Sequence, residues 1–103
     1  MARPRVNLQR ILENVVGASH KVWFQAPTNT KLTYPCLLYS LADKDVTMAD
    51  NKVYKLMNQY ECIYITRDPD DPIVDKLMEI EYCEFDRSYV SDNLNHYTFT
   101  IYY

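Results

Sequence analysis

The imidazole and thiol groups of this chain are two histidines, His20 and His96, and three cysteines, Cys36, Cys62 and Cys83. A thiol and an imidazole can act together as nucleophile and base when folding brings them into contact. Here neither histidine shares a short motif with a nucleophile or a metal ligand. His20 reads as a surface residue following a helix, and His96 as a residue flanking a turn. The cysteines lie 26 and 21 positions apart, which suits neither a C-x-x-C zinc knuckle nor a paired disulfide framework. They read as reduced, buried thiols. Asp68, Asp70, Asp71 and Asp75 offer oxygens that a hard cation would accept, but the segment has neither the glycine nor the twelfth-position glutamate of an EF-hand loop. Its chemistry is that of helix capping and compensation of the helix dipole. The acid pairs Glu79 with Glu81 and Glu84 with Asp86 come without any sign of a pocket and read as solvated. No catalytic, cofactor-binding or metal-ligating residue is therefore assigned, and no cofactor is expected.

Composition narrows the classes further. The 103 residues are 48% hydrophobic and 24% charged, which fits one globular domain over residues 1–103. No apolar run approaches the roughly 20 residues of a membrane-spanning helix. Glycine occurs once, at Gly17, so a phosphate-cradling loop built on several glycines is missing. Eleven Lys and Arg against fourteen Asp and Glu give a net charge of −3, unlike the basic surface of a dedicated nucleic-acid binder. Arg3, Arg5 and Arg10 form the one basic feature and read as decoration of a helix end. The ten tyrosines alternate with Glu and Thr as often as with Lys, so core and interface roles suit them better than base stacking. Tyr102 and Tyr103 are candidate partner contacts. The first ten residues carry no apolar signal region, which sets the expectation of folding in a reducing cytosol.

The elements that must position these residues follow from periodicity. Leu8, Ile11, Leu12, Val15 and Val16 form one helical stripe, with Pro4 suited to the first helical position and Gly17 to the left-handed position after the last, which predicts a helix over 4–16. Gln9, Arg10, Glu13 and Asn14 are assigned to its solvent face. Residues 21–25 and 32–41 read as the arms of a hairpin around a Pro27–Lys31 turn, with Pro35 restricting the second arm to an edge or to its first pairs. Residues 43–52 are polar with scattered Val46 and Met48 and read as an exposed connection. A long alternating strand follows over 53–66, with a break at Asn58 as the alternative. Asp71 and Pro72 then open a helix over 72–80 with Ile73, Leu77 and Ile80 inward. A strand over 84–90 has Phe85 and Arg87 on one side. Ser91, Asp92 and Asn93 turn the chain into a last strand with Tyr97, Phe99, Ile101 and Tyr103 on one face. The order α, β, β, β, α, β, β predicts an α+β fold: a mainly antiparallel β-sheet with two helices packed on one face.

Four runs, taken in order, resemble a known family. They are Tyr34-Pro35-Cys36-Leu37-Leu38-Tyr39-Ser40-Leu41; Ala49-Asp50-Asn51-Lys52; Thr66-Arg67-Asp68-Pro69-Asp70-Asp71-Pro72-Ile73; and Phe85-Asp86-Arg87-Ser88-Tyr89-Val90-Ser91-Asp92-Asn93-Leu94-Asn95-His96-Tyr97. Together they resemble the small tail completion, or tail terminator, proteins of long-tailed bacteriophages of Gram-positive hosts, also described as minor capsid or head-tail joining proteins. The likeness covers about residues 30 to 103, and the first helix agrees in kind. The resemblance implies a structural virion protein without an active site. It would be a subunit of a hexameric ring that caps the tail tube, docks on the head connector (stopper) protein and lets DNA pass through its channel without specific binding. It would assemble in the host cytoplasm, without a membrane partner, and end at the head-tail junction of the virion. A head-side connector component, stopper or adaptor, is the alternative reading.

A closed ring requires two different, complementary patches on each subunit. The segment 43–52, with Asp45, Val46, Thr47 and Met48, is the expected first patch. The turn region from Asp92 and Asn93 to Asn95 is the expected second.

Overall fold

The computed structural model describes residues 4–17, 21–26, 31–49 and 52–103, with side chains described except at 44–49 and 52–57. The chain runs α1 (Arg5–Val16), β1 (Val22–Phe24), β2 (Cys36–Ala49), β3 (Lys52–Thr66), α2 (Pro72–Met78), β4 (Cys83–Ser91) and β5 (Leu94–Tyr102). Among the described residues the strands make one sheet in the order β1-β2-β3-β5-β4. Only β1 and β2 pair in parallel; the other pairs are antiparallel. The fold is α+β with a mainly antiparallel sheet, in the element order that periodicity predicts.

The apolar stripe of α1 does what its spacing requires. Leu8 and Leu12 are fully buried, and Ile11, Val15 and Val16 pack around them against the core. Pro4 stands one position earlier than predicted, as the N-cap in extended backbone, and its carbonyl accepts the Asn7 N–H at 3.0 Å. Gly17 ends the helix at φ +89°, in the left-handed region that a Cβ disfavours, and its N–H donates to the Glu13 carbonyl at 2.8 Å. In α2, Asp71 caps the helix and Pro72 occupies the first turn, with Leu77 buried and Ile73 packed on the same core; the helix ends at Met78, two residues earlier than predicted, and Ile80 packs on the core from beyond it. That core also takes Leu37, Tyr39, Tyr60, Cys62, Tyr64, Phe99, Ile101 and Tyr103 from one side of the sheet, so both helices cover that side.

Three expectations are corrected. Strands β1 and β2 are not a hairpin: Val22, Trp23 and Phe24 pair in parallel with Leu37, Leu38 and Tyr39. Two parallel strands start at the same end of the sheet, so a tight hairpin turn cannot join them. Gln25, at φ 49°, follows β1 and donates its N–H to the Tyr39 carbonyl at 2.8 Å. Pro35 stands immediately before β2, where its missing N–H removes no rung of the ladder.

Second, the segment 43–52 is not a loop. Strand β2 continues to Ala49 and β3 begins at Lys52, with paired rungs from Cys36↔Ile65 out to Ala49↔Lys52 and register shifts after Leu41 and Thr47. Strand β3 runs through Asn58 without a break. Strand β1 accompanies β2 only as far as Tyr39, and β5 accompanies β3 only from Gln59. Beyond the Asp43↔Gln59 rung the two strands therefore form a ribbon that, among the described residues, outruns the rest of the sheet. The molecule measures 51 × 24 × 23 Å. A ribbon beyond the sheet has no helix layer to face, so the apolar alternation that marks a half-buried strand is not required of it.

Third, Phe85 and Arg87 do not share a side. The register shifts between them: Phe85 pairs with Phe99 and Arg87 with Thr98, which leaves Asp86 as the extra residue of a β-bulge. One added residue reverses the parity of everything beyond it. Phe85 meets the Phe99 ring on the core side, with centroids 5.5 Å apart, while Arg87 stands beside the buried Thr98 on the open side.

Candidate functional site

The polar groups that sequence reading marks for chemistry are engaged in holding the fold. The Asp71 carboxylate shows this most fully. Its Oδ1 accepts the Ile73 N–H at 3.0 Å, and its Oδ2 accepts the Tyr64 and Thr66 hydroxyls at 2.8 and 2.9 Å. Asp68 Oδ1 accepts the Asp70 N–H at 2.9 Å, which tightens the loop leading to the cap. A hollow of 340 Å³ lies beside them, between Pro69, Asp70, Val74, Asp75 and Tyr97. Among the described residues no three His, Cys, Asp or Glu side chains are arranged to hold a metal ion.

A second cluster joins α1 to the sheet. The Arg5 guanidinium donates to the Tyr39 hydroxyl at 3.0 Å and lies 4.3 Å from the centre of the Phe24 ring. The Tyr39 hydroxyl in turn donates to Gln9 Oε1, and Gln9 Nε2 reaches the Val22 carbonyl at 3.4 Å. Phe24, Tyr39 and Tyr60 pack ring against ring, at centroid separations of 5.0, 6.4 and 5.8 Å. Gln9 is thus half-buried and not on the solvent face where helical spacing assigns it. Arg5 is a structural cation, clamping the first turn of α1 to an aromatic face.

The thiols are held as neutral groups. Cys36 and Cys62 are buried and Cys83 is partly so, all three unpaired. Burial pushes the thiols of Cys36 and Cys62 up, and burial with the neighbouring Asp86 and Glu84 carboxylates pushes Cys83 up to about 11. Protonated thiols are poor nucleophiles at neutral pH. His96 stacks on Tyr89 with centroids 4.8 Å apart, and its Nδ1 lies 3.1 Å from the Leu94 carbonyl oxygen. His20 and Arg3 lie outside the described residues.

What remains for a partner is surface. Strand β4 forms one edge of the sheet, and every residue of it after Cys83 is exposed. Phe85, Tyr89 and Val90 stand 42%, 39% and 69% exposed along this edge, with Tyr82 at 53% just before it. Exposed apolar side chains beside an unpaired strand edge are a template for further pairing. Of the expected contact residues, Asp45, Val46, Thr47 and Met48 lie in the β2 half of the ribbon, opposite Met57, Leu56, Lys55 and Val53. Asp92 and Asn93 are the exposed central pair of the β4–β5 turn. Their φ values of 53° and 62° account for both residue types, since Asp and Asn tolerate the left-handed region that such a turn requires. The structure does not bring the two patches together. The turn sits where Asn95 pairs with Thr66, at the end of β3 away from the ribbon. Tyr103, a candidate partner contact, is instead buried in the core, with its N–H on the Asn58 carbonyl at 2.8 Å.

The edge character of β4 is what sequence reading missed, because pairing order along a sheet is set by tertiary contacts and not by local pattern. Compared with protein-family models and with curated proteins, the chain matches none. No helix among the described residues is long and apolar enough to cross a membrane.

Proposed function

We propose that this protein is a structural subunit of a hexameric ring at the head-tail junction of a long-tailed bacteriophage, where it terminates the tail tube and joins it to the head connector. The observation that carries the reading is the β2–β3 ribbon, which leaves the sheet and, among the described residues, has no third strand beside it. A two-stranded ribbon alone is marginally stable in water, so a protein that extends one gains from laying it on a partner. Ring closure needs two unlike patches, and this subunit carries the ribbon at one end of β3 and the Asp92–Asn93 turn at the other. The resemblance of the four sequence runs to tail terminator proteins supplies the particular ring. A net charge of −3 suits a channel through which DNA slides without being gripped.

The deciding experiment is electron microscopy of particles from a phage mutant lacking this protein. Overlong or unjoined tails beside full heads are the expected result. Leaking, emptied capsids would move the protein to the head side, as a stopper or adaptor. Normal virions would overturn the proposal.

A further inference from the structure

We draw no further inference here: the strongest candidate, the hollow lined by Gln25, Leu38, Ser40, Glu61 and Ile63 on the side of the sheet opposite the helices, carries nothing, because nothing in the structure shows what covers it.

Discussion

The Tyr64 hydroxyl donates to the Asp71 carboxylate at 2.8 Å, which ties the buried end of β3 to the residue that caps α2. The same carboxylate satisfies the Ile73 N–H and the Thr66 hydroxyl. Asp71→Ala removes the cap and strands two hydroxyls, one on a fully buried tyrosine and one on a threonine only 2% exposed. The expected loss is about 2–4 kcal/mol, the sum of a lost cap and unsatisfied buried groups. Asp71→Asn keeps the capping oxygen and should lose less than half of that. Urea denaturation at constant m-value measures both.

Alkaline pH should destabilise the fold. Burial raises Cys36, Cys62 and Cys83 above their ordinary value of 9.0, and Tyr39 and Tyr64 above 10.0. The unfolded chain then releases protons that the folded chain still holds, so stability falls as pH rises through the unfolded values. The urea midpoint is expected to be level near neutrality and to drop from about pH 9 upward. Cys83, raised to about 11, contributes between those limits, and Cys83→Ser should flatten part of the slope. A midpoint unchanged to pH 10.5 would contradict the burial of these groups.

Thiol accessibility gives an independent check. In the native protein at pH 8, Ellman's reagent should react slowly with Cys83 and leave Cys36 and Cys62 untouched, and in denaturant all three should react at once. Rapid native reaction of two thiols would be incompatible with the core described above.

Gly17→Ala isolates a backbone effect. A Cβ at this position meets nothing within 4 Å, so the cost arises from the φ of +89° alone. The expected loss is about 1 kcal/mol, or roughly 4–8 °C in Tm for a domain of this size. A thermal melt that does not move would show that α1 can end differently.

Introducing charge into the ribbon should disperse the assembled form. If the wild type forms the proposed hexamer, the variant Val46→Asp with Met48→Asp is expected to scatter light as a monomer or small oligomer instead. An unchanged hexamer would remove the β2 half of the ribbon from the interface.

What could be read from sequence was whatever a local pattern encodes. The Leu8–Leu12 stripe, the Gly17 stop, the Asp71–Pro72 start and the alternation of Phe99 and Ile101 each follow from residues a few positions apart, and each holds in the structure. The misreadings share a different origin. The parallel pairing of Val22 with Leu37 depends on where a crossover returns. The ribbon around Val46 lies beyond the helix-covered sheet, and such a strand can be polar. The bulge at Asp86 shifts parity without any mark in hydropathy. Gln9 has a solvent-type side chain and is drawn inward by the Tyr39 hydroxyl. For the candidate surfaces, Asp92 and Asn93 were legible as a turn from residue type, whereas the openness of β4 depends on which strand lies outermost.

The bulge at Asp86 also bears on how this chain can vary. Phe85 and Arg87 already pair with adjacent residues of β5, so a deletion of the residue between them would leave both partnerships in place. Single-codon gains and losses are thus absorbed at this point of the border strand, whereas within β3, with partners on both flanks, they would throw every later side chain to the wrong face. Length differences among descendants of this gene should accumulate there.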